Sequence, residues 1–535
     1  MSSYAQIYGA FQWTVPGEFN FAYDAIDVFA ADRSRLALLY VRDDGTSERH
    51  TFWDFKQRSD RFANALAALG VRRGDPVLLM LPRVPEWQVA FLACLKLGAL
   101  VIPCTASLRA KDVRYRANHS GARAVITARP SVDEIESIVA DCPSLTVKIA
   151  LDAPAGWVDL HAAERAASRS WTRVATRSEE PALCFYTSGT TKDPKAVLHA
   201  HAYTFALGYT GEYWLDLRRT DLHWTTADTG WAKAAYGVLF GPWNRGVPVF
   251  MYGGRFDPER EMRLLEEYEV SVFCAPPTEY RLLVKQDLTR FKLPRLRHCV
   301  GAGEPLNPEV IQAWKDAYNL VIHDGYGQTE SMILVANMPG MAIRPGSMGK
   351  PFPGHTVAII DDHGARLPAG EVGDLAVHGH PPSLFLEYWK NPEETAACRR
   401  GDWYVTGDRA YADEDGYFWF VGRADDVIIS AGYRIGPFEV ESALLEHPAV
   451  LESAVVAAPD PVRGSVVKAY VVLRAGVAGS EALARELQEH VKAITAPYKY
   501  PRQVEFIDAL PKTVSGKIRR VELRERAERA TISDT

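Results

Sequence analysis

Cysteine is scarce and scattered in this 535-residue chain. The seven residues, Cys94, Cys104, Cys142, Cys184, Cys274, Cys299 and Cys398, form no C-x-x-C pair and are odd in number. That spacing argues against a zinc ribbon or a disulfide scaffold and fits a reducing compartment. Long apolar runs are also missing. The most hydrophobic stretch, VAFLACLKLGALVIPC, is interrupted by Lys96 and a glycine and falls short of the ~20 residues a membrane span needs. It predicts a buried helix followed by a strand. Positive charge is not in excess, with 61 Lys+Arg against 67 Asp+Glu and a formal net charge of -6, which disfavours a nucleic-acid partner. The N-terminal stretch has no basic region ahead of an apolar core, so we expect no export signal and a cytoplasmic protein. No internal repeat or low-complexity tract is seen, and 39 Gly with 33 Pro is ordinary usage that excludes a collagenous chain.

What is present is an apolar content of 47% in a chain too long for one compact unit, so two or more domains are expected. Short apolar or β-branched runs at 77–81, 124–127, 183–186, 247–252 and 270–275 alternate with helical patterns such as 52–69 and 258–268. This alternation predicts an α/β fold with parallel sheets covered by helices. In the first helical pattern Phe55, Ser59, Phe62, Leu66 and Leu69 fall near helical spacing and mark a core face. After about residue 350 short strands at 357–361, 374–378 and 417–421 are separated by Gly-rich turns and predict a small antiparallel β subdomain. From residue 450 the order strand, strand, helix, strand predicts a compact α+β unit. The charged end, RRVELRERAERATISDT, reads as a helix fraying into a mobile tail.

The segment Phe185-Tyr186-Thr187-Ser188-Gly189-Thr190-Thr191-Lys192-Asp193-Pro194-Lys195 follows an apolar strand and precedes AVLHAHAYTFALGY, read as helical. Backbone N–H groups, hydroxyls and an ammonium in such a loop can cradle a polyphosphate. The register excludes G-x-x-x-x-G-K-[ST]; the plainer alternative is a Ser/Thr-rich turn. His199 and His201 lie two apart, unlike i, i+4 ligands on a helix face, so they read as helix-start or surface histidines and not as a metal pair.

The run T-S-G-T-T-x-x-P-K resembles the signature of the adenylate-forming superfamily, which includes acyl-CoA synthetases, firefly-type luciferases and peptide-synthetase adenylation domains. Further matches follow in the family's order: Gly301-Ala302-Gly303-Glu304-Pro305, Asp324-Gly325-Tyr326-Gly327-Gln328-Thr329-Glu330, Tyr404-Val405-Thr406-Gly407-Asp408, Gly422-Arg423-Ala424-Asp425-Asp426, Gly432-Tyr433-Arg434-Ile435 and Pro511-Lys512-Thr513-Val514-Ser515-Gly516-Lys517. The resemblance implies an N-terminal domain over 1–424, with its β subdomain at about 350–424, and a mobile C-terminal domain over 425–535. It implies ATP, Mg²⁺ and coenzyme A, with a carboxylic acid activated to acyl-AMP and passed to a thiol. Lys517 would bridge the acid's carboxylate and the α-phosphate, where a cation offsets anion repulsion. Thr187 to Lys195 would bind the triphosphate. Gly303, Glu304 and Pro305 would line one side of the adenine, with Tyr326 stacking on it. Asp324, Gly325, Gly327 and Gln328 would complete the nucleotide strand, and Thr329 would contact the α-phosphate. Glu330 would be the Mg²⁺ ligand. Asp408 would accept from the ribose hydroxyls, with Arg423 beside it and Arg434 near the phosphate. Asp425 would be the hinge about which the small domain swings between two half-reactions.

For the acid, acetate-specific relatives carry tryptophan where this chain has Gly327, so the resemblance implies extra volume and a medium-chain or bulky acid, with Trp231 and Gly301 also lining the acyl pocket. The chain looks most like medium-chain acyl-CoA synthetases. An aromatic or branched-chain acid:CoA ligase stays open, as do a carrier-protein loader and a silent nucleotide-binding regulator, though the presence of Lys517 and the phosphate loop speaks against silence. Gly432, Tyr433, Arg463, Lys492, Lys499, Tyr500 and Arg502 are candidates for CoA, whose phosphates call for cations at the mouth of the site. Three departures from the family pattern stand out: Lys192 and Ala196 at usual glycine positions, and Ala431 at a common serine position. Lys517 is also expected to be a target of a lysine acyltransferase and deacylase, since acylation deletes its charge. A homo-oligomer is left open.

Overall fold

The computed structural model describes residues 3–187, 194–430, 433–460, 463–512 and 518–533. Two large sheets dominate. The first has eight strands, in the order Glu387–Tyr388, Lys195–Ala200, Pro181–Thr187, Leu100–Pro103, Pro76–Met80, Ala124–Ala128, Val147–Leu151 and Val158–Asp159. It is parallel from Pro181–Thr187 onward and antiparallel at its first two strands. The second has nine strands, with a parallel centre formed by Ile322–Gly327, His298–Ala302, Val272–Ala275, His223–Thr225, Val249–Tyr252 and Leu36–Val41. One apolar cluster joins Val77 and Leu79 of the first sheet, Leu38 and Val249 of the second, and Phe55, Phe62, Phe91 and Trp243 between them.

The helices between the sheets follow from local sequence. Helix Phe52–Ala68 opens on a capping box, with Thr51 Oγ1 accepting from Asp54 N at 3.1 Å and the Asp54 carboxylate accepting from Thr51 N at 2.8 Å. Its predicted core face is buried at Phe55, Ser59, Phe62 and Leu66. Helix Pro85–Leu97 starts with proline at its first position and ends at Gly98, whose φ of 73° suits a residue without a Cβ. It is buried on every side, as a helix sandwiched between sheets must be. Lys96 is fully buried there because Asp27 and Asp60 meet its ammonium at 2.9 and 2.5 Å.

The β subdomain pairs Val357–Ile360, Gly373–His378, Trp403–Ala412, Arg399–Arg400 and Phe418–Arg423. Near the C-terminus Val450–Asp460 and Gly464–Leu473 form an antiparallel pair, with Gln503–Phe506 parallel to the latter. Helices Pro437–Leu445, Glu481–Ile494 and Arg520–Ser533 accompany them. Asn307 Nδ2 donates to Ser442 Oγ at 2.9 Å, joining helix Pro437–Leu445 to the loop that follows His298–Ala302. Among the described residues no helix is long and apolar enough to cross a membrane.

One element differs from the sequence reading. The stretch after the phosphate loop is not helical from its start: Lys195–Ala200 is a strand that returns antiparallel along Pro181–Thr187, and the helix begins only at His201. The two strands on either side of the loop are therefore the arms of a hairpin. His201 opens that helix and His199 lies within the strand, and both are buried, not on the surface.

Candidate active site

The parallel strands His298–Ala302 and Ile322–Gly327 run in register, Gly301 opposite Asp324 and Ala302 opposite Gly325. Their carboxyl ends thus present Gly303-Glu304-Pro305 and Tyr326 to Glu330 together, at the edge where open α/β sheets bind ligands. Gly303 has a φ of 105°, a turn that excludes ordinary side chains. Glu304 is held from below by Thr278 Oγ1 at 2.8 and 2.7 Å and by Arg281 at 3.0 Å.

Asp408 is the centre of the polar network. It is 3% exposed and sits on the strand Trp403–Ala412, two residues after Thr406, whose hydroxyl accepts from its N–H at 3.2 Å. Oδ2 accepts from the Tyr326 phenol and from Gln328 Nε2 at 2.7 Å, and Oδ1 accepts from Arg423 at 3.2 Å. Gln328 is itself fixed by Tyr404, whose hydroxyl donates to Oε1 at 3.0 Å. Burial raises the Asp408 carboxyl above the ordinary range, against the opposing pull of Arg423 and the hydrogen bonds. Tyr326, Gln328, Asp408 and Arg423 are therefore brought together. The Tyr326 ring is partly exposed and pinned at its phenol end, which suits a stacking platform.

Thr329 and Glu330 follow directly. Glu330 accepts from the Tyr388 phenol at 2.8 Å. Lys195 lies 5.0 Å from the centre of the same tyrosine ring and pairs with Glu394 at 2.5 Å. Sequence reading missed the residue that supports this corner. His199 Nε2 meets the Thr329 carbonyl at 2.7 Å, and its ring stacks on Tyr203 at 3.9 Å. Burial pulls the His199 imidazole down to about 3, so it is neutral and donates to that carbonyl. Nothing in an H-x-H spacing signals this.

Burial pushes Asp324 up to about 8, against ~3.9 in an unfolded chain. The folded state therefore holds a proton that the unfolded state releases. This stabilisation is present at acid pH and is lost as pH rises through about 8. We expect Asp324→Asn to gain on the parent by up to about 1.4 kcal/mol per pH unit between pH ~5 and ~8, then to level off. Urea unfolding of both proteins across that range checks this; a constant difference would mean that Asp324 does not titrate in the folded state.

The volume expected at Gly327 is not there. A Cβ on this residue would lie 2.2 Å from the carbonyl oxygen of Met332, because the pairing with Ile333–Ala336 shifts register between Tyr326 and Gly327. The glycine serves that close approach, not an open cavity. At Gly301 a Cβ would meet Ile322 and Leu306 at an ordinary 3.5 Å. Trp231 is partly exposed and caps the short helix Ala232–Ala234. Its loop is fixed by Asp228, which accepts from Thr105 Oγ1 at 3.1 Å and from Gly230 N at 2.9 Å.

The CoA candidates form two groups. Tyr433 stacks on Tyr498 with centroids 4.4 Å apart, both exposed; Tyr498 was not foreseen. Lys492 and Arg502 lie 4.2 and 4.8 Å from the Tyr500 ring centre. Lys499 pairs with Glu439 at 2.6 Å, and Arg463 sits exposed at the turn into Gly464–Leu473. Asp425 is exposed in a turn, its carbonyl 3.4 Å from Arg524. Ser188, Gly189, Thr190, Thr191, Lys192, Asp193, Ala431, Gly432 and Lys517, with the side chain of Arg434, lie outside the described residues; Thr187 and Pro194 flank the loop.

A family model described as AMP-binding enzyme matches residues 28–389, and one described as AMP-binding enzyme C-terminal domain matches residues 439–517. The chain is 46% identical over 540 residues to acyl-coenzyme A synthetase ACSM3, mitochondrial, of Rattus norvegicus, covering 98% of this chain and 93% of that protein. Among solved structures, the anthranilate CoA ligase AuaEII in complex with anthranoyl-AMP superimposes with a TM-score of 0.90 at 32% identity, covering 97% of this chain and 99% of that one. A benzoate CoA ligase from Burkholderia xenovorans LB400 gives 0.84 at 31%, covering 95% and 100%. The cytoplasmic expectation is overturned: relatives matched along nearly the whole chain are named mitochondrial. That expectation rested on the absence of an export signal, which does not bear on organelles.

Proposed function

We propose a substrate and a mechanism for this chain, which belongs to the AMP-binding enzyme family and is an ATP-dependent, AMP- and diphosphate-forming acid:CoA ligase. The acid is medium-chain or otherwise bulky. In the first half-reaction a carboxylate oxygen attacks the α-phosphorus of ATP, the bond to the β-phosphate oxygen breaks, and pyrophosphate leaves. In the second, the sulfur of CoA attacks the acyl carbon, the bond to the AMP oxygen breaks, and the thiol gives up its proton.

The observation that carries the nucleotide assignment is the convergence of Tyr326, Gln328 and Arg423 on buried Asp408. A carboxylate held there offers acceptors to a ribose diol beside a stacking ring. The phosphate loop holds the triphosphate, and Lys517 supplies positive charge between the two reacting anions. A swing about Asp425 of the unit that follows it withdraws Lys517 and presents the Gly432–Arg434 segment to the thiol, with Tyr433, Arg463, Lys492, Tyr500 and Arg502 around CoA. Reversible acylation of Lys517 would then silence adenylation.

Glu330 is a half-buried carboxylate that receives one phenol hydrogen bond, and no cluster of three metal-ligating side chains surrounds it among the described residues. One protein carboxylate plus phosphate oxygens and water suits Mg²⁺. Glu330 would hold the ion, which when bound neutralises charge on the phosphates.

The acid assignment is supported by 46% identity to an acyl-coenzyme A synthetase. A second reading, an aromatic acid, is favoured by the superpositions on anthranilate and benzoate ligases. Pyrophosphate release measured with octanoate, isobutyrate and benzoate separates them. Octanoate should show the highest kcat/KM, with AMP release dependent on free CoA; a preference for benzoate would replace the first reading by the second.

A further inference from the structure

The helix Ala110–Ser120 carries none of the signature motifs. It buries Val113, Ala117 and Ser120 against the first sheet and ends at Gly121 in the left-handed region, with φ 70°. Tyr115 and His119 are spaced i, i+4 and so share a neighbouring face. Their rings stack with centroids 5.6 Å apart.

That face touches both ends of the phosphate loop. Pro181–Thr187 and Lys195–Ala200 pair Thr187 with Lys195, so the hairpin opens immediately beyond them. On the entering side, His119 Nδ1 and the Tyr186 hydroxyl are 2.8 Å apart. On the leaving side, the Tyr115 hydroxyl donates to the Pro194 carbonyl at 3.1 Å. The Tyr115 and Tyr186 rings also meet edge to face at 6.1 Å, and Arg116 lies 5.3 Å from the Tyr186 ring centre. A third segment fixes the helix: Lys390 Nζ donates to the His119 carbonyl at 2.5 Å, while the neighbouring Trp389 N–H donates to the Ala196 carbonyl at 2.8 Å.

We propose that Tyr115 and His119 are positioning residues that set the span between the two ends of the phosphate loop, and thereby the placement of its donors on the triphosphate of ATP. Simple packing does not require a phenol and an imidazole, one directed at each arm of the same hairpin. A loop that binds through backbone N–H groups works only when its ends are fixed, because misplaced donors lose the benefit of being preorganised. The inference rests on the nucleotide role proposed for the loop.

The test uses the full-length enzyme and its two half-reactions. Tyr115→Phe removes one oxygen and keeps the ring. It should raise the KM for ATP in acid-dependent pyrophosphate exchange roughly fivefold to tenfold, the scale of one lost hydrogen bond. The KM for the acid, thioester formation from supplied acyl adenylate, and the melting temperature should stay unchanged. His119→Ala should act alike, and His119→Asn, whose amide can replace Nδ1, should restore the parent value. An ATP KM within twofold of the parent in both Tyr115→Phe and His119→Ala would overturn the proposal. So would an equal loss in both half-reactions accompanied by a lower melting temperature. Thr191→Ala, inside the loop, separates the two levels. If it raises the ATP KM while the helix variants do not, only this inference fails; if it also leaves ATP binding untouched, the loop's nucleotide role fails with it.

Discussion

Replacing Lys517 by alanine is expected to slow acyl-adenylate formation by roughly 10²–10³-fold, the usual cost of removing one group that stabilises developing charge in a closed site. Thioester formation from supplied acyl adenylate should stay within about threefold. The asymmetry follows from the chemistry. Adenylation brings a carboxylate against a triphosphate, and the repulsion has to be offset at the α-phosphorus. Thioester formation begins from a mixed anhydride in which that repulsion is already gone. The residues on either side of the lysine's segment are anchored. Lys512 pairs with Ile518 across it, Arg519 N donates to the Pro511 carbonyl at 2.8 Å, and Lys512 Nζ reaches Glu452 at 2.7 Å. Lys512, at the start of that segment, is thus tied to Val450–Asp460, and Lys517 should travel with the C-terminal unit. Single-turnover measurement of each half-reaction checks the expectation. Equal losses in both halves would mean that Lys517 supports the fold or both chemistries, and the two-orientation mechanism would go.

The sequence displayed the fold where side-chain periodicity and burial agree. Helix Phe52–Ala68 could be read from Phe55, Phe62 and Leu66 because a helix between two sheets repeats its apolar face every turn. Strands Pro76–Met80, Ala124–Ala128, Pro181–Thr187, Val249–Tyr252 and Val272–Ala275 could be read because strands buried on both faces are short continuous apolar runs, whereas Leu36–Val41, His223–Thr225, His298–Ala302 and Ile322–Gly327 beside them in the second sheet were not singled out. Lys195–Ala200 could not. Its residues, AVLHA, continue without a break into helix His201–Tyr213, and a buried strand that runs directly into a buried helix carries no periodic change to mark the junction. The same strand hides His199, whose role depends on meeting the Thr329 carbonyl across 130 residues of chain. Gly327 shows the opposite error. The residue type was read as space for substrate, while the backbone of Met332 fills the position. Asp408, Arg423 and Tyr326 could be singled out because each sits in a contiguous motif, and the structure brings their side chains together. Tyr404 and Tyr388, which orient Gln328 and Glu330, act through contacts that no local pattern records.

Asp408→Asn is expected to raise the KM for ATP by about 100-fold and, more tellingly, to erase discrimination between ATP and its 2′- or 3′-deoxy analogues. Hydrogen bonds to a charged group contribute about 1.5–3 kcal/mol each, and a carboxylate has about four acceptor positions. Three are occupied in this structure: Tyr326 and Gln328 on Oδ2, and Arg423 on Oδ1. One hydroxyl of the ribose can take the remaining position on Oδ1. The second must displace a protein donor. Arg423 is the one that can yield, since its bond is the longest at 3.2 Å and its side chain is 47% exposed, whereas Gln328 is braced by Tyr404. The asparagine amide keeps one oxygen and turns the other into a donor, which would face the Tyr326 phenol and Gln328 amide or the ribose itself. Either orientation sacrifices acceptors that the diol needs. Because burial already raises the Asp408 carboxyl, falling pH should act in the same direction: protonation removes an acceptor, so the parent's preference for ATP over the deoxy analogues should weaken on the acid side while that of the variant stays flat. If Asp408→Asn discriminated among the three nucleotides as the parent does, the carboxylate would not be receiving the ribose. Its part would then be confined to holding Tyr326 and Arg423 in place.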